Sequence, residues 1–194
     1  MTLELNQVQT HALPEPVSLR VSTGGVANVE ADGQAGDDLL LAIVGLRPLQ
    51  GGVVSLDGAP LTPLSAPWFR RMTAFAPSRL SVTPDSAIER ALSGRGYQAG
   101  TMTQWCVESL GLAPSLMGSV ESEAALIGMD MQVAHSLPAA LTDDQRRQLL
   151  LAVAVARATR LLLVCQPLCP EGYLQQMAQR RQLAVVSVGE GVAQ

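Results

Sequence analysis

The chain has 194 residues, of which 47% are hydrophobic and 15% are charged. This length suits one domain of ordinary size, with room for a subdomain and a buried core. A net charge of −4 and a pI near 5.1 provide no basic field for a phosphate backbone, so nucleic acid is excluded as an expected partner.

All thirteen cationic residues are arginine, and lysine is absent. The absence excludes Schiff-base chemistry, a lysine general base and the lysine of a phosphate-binding loop. The cysteines Cys106, Cys165 and Cys169 are odd in number, and we expect reduced structural thiols. The segment "CQPLC" has no second pair of ligands, so we expect no metal site there.

The N-terminal segment "MTLELNQV" has no basic start and no apolar signal core. The longest apolar runs, "LLLAIVGL" and "LLLAVAVA", have eight residues each, whereas a bilayer-spanning helix needs about 20. We therefore expect a cytoplasmic protein that does not insert directly into a membrane.

The first part of the chain, residues 1–82, begins with three strand-like segments, "LELNQVQ", "VSLRVS" and "GGVANVEA". After Gly36 the pattern becomes helical through "DDLLLAIVGL", until proline and glycine stop it. The segment "VVSLDGAPL" predicts a hairpin whose turn is "DG". A helical turn near "SAPWF" then precedes a short strand in "FRRMTAFAPS".

The middle of the chain, residues 83–141, has helical spacing and no convincing strand. Its segments "TPDSAIERALSG" and "TMTQWCVESLGL" carry a helix start and a glycine stop, respectively. The pattern predicts a helical subdomain inserted between two parts of a core, 1–82 and 142–194.

The last part of the chain has the strongest pattern. In "LTDDQRRQLLLAVAVARATR", Thr142 and Gln145 have capping-box spacing, and the apolar run after Gln148 predicts a buried helix. The apolar segment "LLLVC" is typical of a parallel strand, and it is followed by a helix, "YLQQMAQRR", and a strand, "LAVVSV". Strand, helix and strand in this order predict an α/β fold.

Two long segments resemble one family. The run "VSLRVSTGGVANVEADGQAGDDLLLAIVGLRPLQGGVVSLDG" is similar to the Walker A region of the ATP-binding cassette (ABC) ATPases, the nucleotide-binding subunits of ABC transporters. The run "LTDDQRRQLLLAVAVARATRLLLVCQPL" resembles their signature motif, its helix and the Walker B strand. The resemblance implies a P-loop NTPase (ABC ATPase-like) core with an inserted helical subdomain, which falls at 83–141.

The resemblance also implies that the Walker A chemistry is lost. In the pattern GxxxxGK[ST], backbone amides surround phosphates, the lysine reaches the terminal phosphates and the hydroxyl binds magnesium. Gly36 keeps the last glycine, but Ala31 replaces the first and Gln34 lies between them. Asp37 stands at the lysine position and Asp38 at the hydroxyl position.

The other positions that would bind nucleotide are changed as well. Cys165 and Gln166 replace the aspartate and glutamate that end the Walker B strand. A thiol is a poor ligand for a hard cation, and an amide cannot accept a proton. Ser78 stands where the family has a glutamine, and Glu190 where it has the switch histidine. We therefore expect no catalytic residue, no metal and no cofactor, with ATP and magnesium binding absent or very weak.

The signature motif LSGGQ is replaced by Leu141, Thr142, Asp143, Asp144 and Gln145. A helix N-terminus attracts anions, and a carboxylate in the chain satisfies it as a phosphate does. We expect Asp37 and Asp38, like Asp143 and Asp144, to cap the helices that begin beside them and so to occupy both phosphate sites. The alternative is that acidic residues are favourable in any first helical turn and carry no functional meaning.

These features favour a catalytically inactive ABC-type subunit that acts through protein contacts, as part or regulator of a transporter complex. The expected partners are a membrane-embedded transporter subunit, an intact ABC ATPase, or both, which would place the protein at the inner face of the cell membrane. The resemblance implies a docking groove near Pro77, Ser78 and Arg79 and the helices in 83–105. Two alternatives are a weakly nucleotide-binding ATPase subunit paired with an intact cassette, and a scaffold or regulatory protein unrelated to transport.

Overall fold

The computed structural model describes residues 1–78, 114–130, 132 and 141–189. The strands in these ranges are β1 Thr2–Gln9, β2 Val17–Ser22, β3 Val26–Glu30, β4 Gly51–Leu56, β5 Ala59–Pro60, β6 Thr73–Ala76, β7 Leu161–Cys165 and β8 Ala184–Gly189. The α-helices are α1 Gly33–Ile43, α2 Ala66–Met72, α3 Met117–Leu126, α4 Asp143–Arg157 and α5 Tyr173–Arg181, and a 3-10 helix, Pro114–Leu116, precedes α3.

The chain divides into two compact units. The first contains Met1–Ser78, Ala158–Pro167 and Glu171–Gln194, and the second contains Arg79–Arg157 with Leu168–Pro170. Both sheets belong to the first unit. The predicted helical subdomain, 83–141, falls largely outside the described residues, so its limits stay a prediction.

One sheet is antiparallel, with strand order β2-β1-β4-β5. Strands β4 and β5 form the predicted hairpin, and Asp57 and Gly58 in its turn have φ angles of 51° and 78°. Two consecutive positive φ angles are the geometry that favours an Asp-Gly pair in a tight hairpin. The prediction of this turn is therefore confirmed.

The other sheet is parallel, with strand order β3-β8-β7-β6. Every residue of β7 is buried, as expected for a strand with neighbours on both sides. Helix α1 packs on β7 and β8 and contributes Leu39, Leu40 and Ile43 to a core that both sheets share. Burying one such side chain contributes roughly 1.5–3 kcal/mol, so this core fixes α1 against the parallel sheet.

In the second unit, α3 packs against α4. Helix α4 begins with the predicted capping box: the Thr142 amide donates to Gln145 Oε1 at 2.9 Å, and the Gln145 amide donates to Thr142 Oγ1 at 3.2 Å. All residues from Leu149 to Ala156 are buried. The predicted start of this helix and its buried run are both confirmed.

Within the described parts of the chain, every helix is too short or too polar to cross a bilayer.

Candidate functional site

The first turn of α1 lies beside the carboxyl ends of the parallel strands. The Ala31 amide donates to the Gly189 carbonyl at 3.1 Å, and the Gln166 amide donates to the Val188 carbonyl at 2.6 Å. These bonds extend the pairing of β3, β7 and β8 beyond the last strand residues. In open α/β sheets this edge is where ligands bind, so it is the candidate site.

Helix α1 begins at Gly33 and not after Gly36, which corrects the sequence prediction. Asp32 is its N-cap: its carboxylate accepts the Ala35 amide at 2.7 Å, and its carbonyl accepts the Gly36 amide at 2.8 Å. Asp37 therefore lies in the second turn, as does its neighbour, and the prediction that these two aspartates cap α1 is wrong. An aspartate three residues before the amide that it accepts is an ordinary N-cap signal. The sequence prediction missed it because this segment was interpreted as part of a phosphate-binding loop.

The start of α1 has consequences for phosphate binding. A phosphate loop works because several backbone amides are unpaired and converge on one anion. Here the amides of Ala35 and Gly36 are already bonded to Asp32. A phosphate could use these two donors only if the first turn of α1 opened.

Asp37 and Ser78 form a two-point contact that we call the Asp37–Ser78 clamp. The Ser78 amide donates to Asp37 Oδ1 at 3.0 Å, and the Ser78 hydroxyl donates to Asp37 Oδ2 at 2.6 Å. Ser78 is only 8% exposed, and hydrogen bonds to an ionised acceptor are stronger than neutral ones. The clamp ties α1 to the segment that follows β6, and it joins two positions that the resemblance had assigned to nucleotide contacts.

Cys165, at the end of β7, is buried next to Asp37 and Ser78. Its Sγ atom lies 3.6 Å from the Gly33 carbonyl oxygen. Burial, followed by the negative charge of Asp37, raises the pKa of the Cys165 thiol from 9.0 to about 12. A thiol that stays protonated at neutral pH is a weak nucleophile and a poor metal ligand.

Cys169 resembles Cys165 in this respect, since burial raises its pKa to about 11. Both are free cysteines, as predicted, and Cys106 lies outside the described residues.

Gly36 is required by packing. A Cβ atom at this position would lie 2.7 Å from Cys165 Sγ and 2.7 Å from Val188 Cγ1, closer than such atoms approach. The glycine allows α1 to approach β7 and β8 closely. The one motif glycine that the chain retains thus has a structural reason that involves no phosphate.

The side chains at the remaining Walker-like positions make separate contacts. Asp38 faces Arg47, with 3.5 Å between Oδ1 and Nε. Gln34 is exposed on the first turn of α1, and the side-chain amide of Gln166 lies against Gly33, where a Cβ would be 3.2 Å from Oε1. Of the other predicted site positions, Glu190, Arg79 and the helices in 83–105 lie outside the described residues.

The signature-like residues are at the start of α4, in the second unit. Leu141 is buried, and the two aspartates lie in the first turn, as predicted. The cap itself is the Thr142–Gln145 pair, so the prediction that Asp143 and Asp144 cap α4 is wrong. Asp143 pairs with Arg146 at 3.0 Å, and Asp144 pairs with Arg147. Their contribution is therefore a favourable position in the helix dipole together with an exposed ion pair each.

No protein-family model matches the sequence. An ATP-binding subunit of an ABC transporter matches the structure with a TM-score of 0.64 and 16% identity, over 98% of this chain and 80% of that one. The protein cbiO1 from Clostridium perfringens, part of the ABC transporter complex cbiONQ, matches with a TM-score of 0.63 and 14% identity, over 97% and 78% of the two chains. The chain therefore has the α/β fold of the ABC-type ATPases, with a P-loop NTPase-like core.

Proposed function

We propose that this protein is a catalytically inactive ABC-type subunit that acts through contacts with protein partners. The Asp37–Ser78 clamp is the observation that carries the proposal. At the position where the family pattern has a phosphate-binding lysine, both carboxylate oxygens of Asp37 accept hydrogen bonds from Ser78. The residue that would attract the terminal phosphates is thus replaced by an anion that holds two elements of the fold together.

Nucleotide binding is disfavoured by both hydrogen bonding and charge. Two amides of the short loop are bonded to Asp32, and Asp32, Asp37 and Asp38 put three carboxylates beside the place of the phosphates. Arg47 faces one of these carboxylates, Asp38, in an ion pair whose arginine is exposed. Since like charges repel strongly where water is excluded, a triphosphate has little to gain at this edge.

Hydrolysis is disfavoured for a separate reason. The Cys165 thiol, with a pKa of about 12, does not offer magnesium the anionic oxygen that it prefers. Gln166 has an amide where a carboxylate would position or activate water, and loss of a general base alone lowers a rate by roughly 10²–10⁴. We therefore expect no ATPase activity above background.

The partners in this proposal are a membrane-embedded transporter subunit, an intact ABC ATPase, or both, and the protein would work at the inner face of the membrane through them. The cbiO1 protein, which has the same fold, is part of such a transporter complex. A heterodimeric ATPase is less favoured because Asp143 and Asp144 would meet the γ-phosphate of an intact partner where the family offers glycine amides. Unlike those glycines, both side chains are exposed carboxylates.

Thermal unfolding with millimolar ATP or ADP, with and without magnesium, tests the proposal. A ligand at 100 times its Kd stabilises the folded state by about 2.7 kcal/mol, or roughly 5–11 °C for a chain of this size. We expect no resolvable shift, whereas an intact ABC ATPase in the same assay should show one.

A matched pair of variants identifies the site of any shift that is seen. Gln34→Glu adds a negative charge to an exposed position in the first turn of α1, and Gln176→Glu makes the same change at an exposed position of α5. A shift in the unmodified protein that Gln34→Glu abolishes and Gln176→Glu preserves would show that the loop binds nucleotide, which would overturn the proposal.

A further inference from the structure

One short stretch of the first unit exposes several large apolar side chains. Leu64 is 94% exposed, Leu46 is 58% exposed and Trp68 is 42% exposed. Leu64 lies in a fixed turn, because the Ser65 hydroxyl donates to the Pro60 carbonyl at 2.8 Å and accepts the Thr62 amide at 2.8 Å. A leucine held in water by an ordered turn adds little to folding, so a role in binding is the better explanation.

Leu64 and Trp68 lie on one face of α2 and of the turn that precedes it. Ala66 and Phe69 are buried, whereas the exposed residues recur with a spacing of three and four, which places them on the opposite face. They are Pro67, Trp68 and Arg71 on the helix and Leu64 just before it; Arg70, also exposed, lies nearer the buried face and bonds to Val44. The indole of Trp68 is oriented by an edge-to-face contact with Phe69, with ring centroids 5.5 Å apart.

The loop after α1 extends this surface. The Arg70 guanidinium donates to the Val44 carbonyl at 3.2 Å, and a Cβ on Gly45 would lie 3.0 Å from Ala66 Cβ. Leu46 and Arg47 follow directly and are both exposed. We call the whole surface the α2 patch, which consists of Leu46, Arg47, Leu64, Pro67, Trp68 and Arg71.

The α2 patch has the opposite charge to the protein as a whole. Residues 44–72 contain three arginines and one aspartate, and Arg47 is paired with Asp38 just outside this range, which leaves a local charge of +1 in a chain with a net charge of −4. The aspartate, Asp57, lies in the β4–β5 turn, where its carboxylate accepts the Thr2 amide at 2.7 Å. An apolar centre with tryptophan and a basic rim has the composition of an interface hot spot.

We propose that the α2 patch binds an acidic amphipathic helix of a partner protein. Leucine and tryptophan would contact the apolar face of that helix, and the arginines would face its flanking carboxylates. A symmetric contact with a second copy would instead place arginines opposite arginines. An anionic lipid surface would gain only about 1 kcal/mol for each arginine and would repel the acidic remainder of the chain.

The proposal for the α2 patch describes the protein partner that the proposed function requires, and it rests on that function. The nucleotide measurements do not depend on the α2 patch, so the two can fail separately.

Two labelled synthetic helices test the α2 patch with the full-length protein. Both carry leucines at positions i, i+3, i+4 and i+7, and their remaining positions are glutamate in one peptide and lysine in the other. We expect fluorescence anisotropy to show that the acidic peptide binds about tenfold or more tightly than the basic one, with an affinity that falls as salt increases.

Substitutions locate the binding. Leu64→Ser changes a side chain that is almost fully exposed, so the fold should be unaffected, and it should weaken acidic-peptide binding about tenfold. Arg71→Glu should weaken it further. Leu126→Ser, at a leucine that is 49% exposed on α3, is the matched control and should leave binding unchanged.

Four results would overturn the proposal. These are no binding of the acidic peptide, equal binding of the two peptides, equal binding by Leu64→Ser, and self-association of the protein that Leu64→Ser abolishes. A fifth result, from sedimentation, would overturn it as well: binding to phosphatidylcholine vesicles containing phosphatidylserine that Arg71→Glu abolishes would assign the patch to a lipid surface instead.

Discussion

The starts of α1 and α4 carry the same sequence feature and use it differently. Each has two consecutive aspartates, Asp37 and Asp38 at α1 and Asp143 and Asp144 at α4, in a segment that resembles a motif of the ABC ATPases. At α4 the pair lies in the first turn, behind a local capping box. At α1 the helix begins four residues before Asp37, Asp32 is the cap, and Asp37 is bonded to Ser78. An acidic pair near a helix start therefore makes only local ion pairs in one case, and one of its members makes a tertiary contact in the other.

The two starts should differ most in their response to alkali. Burial and the Asp37 charge raise the pKa of Cys165 from 9.0 in the unfolded chain to about 12 in the folded protein. Below pH 9 both states bind the proton and stability is complete; between pH 9 and 12 the unfolded state ionises first, so stability is lost. The limit is about 4 kcal/mol at pH 12, from three pH units at 1.36 kcal/mol each.

The chain has no lysine, but Cys169, with a pKa raised to about 11, also causes a loss of stability over part of the same window, so the test compares the unmodified protein with Cys165→Ala. In urea unfolding between pH 8 and 12, the free energy of unfolding should fall less with pH for Cys165→Ala than for the unmodified protein. Asp37→Asn should retain part of the loss, since burial remains, whereas Thr142→Ala at the start of α4 should leave its slope unchanged. Equal slopes for Cys165→Ala and the unmodified protein would contradict the assignment.

Removing the clamp should have the next largest effect. Asp37→Ala leaves the Ser78 amide without its acceptor and the Ser78 hydroxyl with only the Gly33 carbonyl oxygen, 3.5 Å away, and should destabilise the protein by about 1.5–3 kcal/mol. Asp143→Ala, at the equivalent acidic pair of α4, breaks an exposed ion pair and should cost about 0–1 kcal/mol. Denaturant unfolding measures both.

A double-mutant cycle sharpens this test. Asp37→Ala and Ser78→Ala should be non-additive by about 0.5–3 kcal/mol, because both remove the bond between the Ser78 hydroxyl and Asp37 Oδ2, whereas only Asp37→Ala also removes the bond to the Ser78 amide. Additive effects would mean that Asp37 stabilises α1 locally, as the aspartates of α4 do.

The close approach of α1 to the parallel sheet predicts a smaller and more variable loss. Gly36→Ala puts a methyl group 2.7 Å from Cys165 Sγ and Val188 Cγ1, and overpacking of this kind costs about 1–3 kcal/mol. Gly118→Ala on α3 is the matched control, because a Cβ there meets no atom within 4 Å, and it should be neutral or slightly stabilising. If Gly36→Ala melts as late as Gly118→Ala, the glycine has another reason to be present.

Removing the caps should have the smallest effects on stability, and the losses should be similar at the two helix starts. Asp32→Ala at α1 and Thr142→Ala at α4 each remove one side-chain acceptor from a helix start and should cost about 1 kcal/mol, within a range of 0.5–2. Thermal unfolding compares them directly. A loss for Asp32→Ala much below that for Thr142→Ala would contradict the assignment of the α1 cap to Asp32.

Much of the fold was predictable because its signals are local. The alternation of β1 and β2, the Asp-Gly turn, the buried run of α4 and the all-apolar β7 each depend on residues that are neighbours in sequence. The Thr142–Gln145 capping box is such a signal as well, and it spans three residues. The order of the two motif-like segments then indicated the ABC-type fold, which the two structural neighbours share.

The sequence by itself determined that the chain has no lysine and that β7 ends in Cys165, with Gln166 after it. The tertiary structure decided what the residues at the Walker-like positions do. Asp37 meets Ser78 across 41 positions of sequence, and Gly36 is required by side chains on β7 and β8 that only folding brings beside it. Contacts of this kind depend on how closely α1 packs on the parallel sheet, and no spacing of residues along the chain encodes that distance.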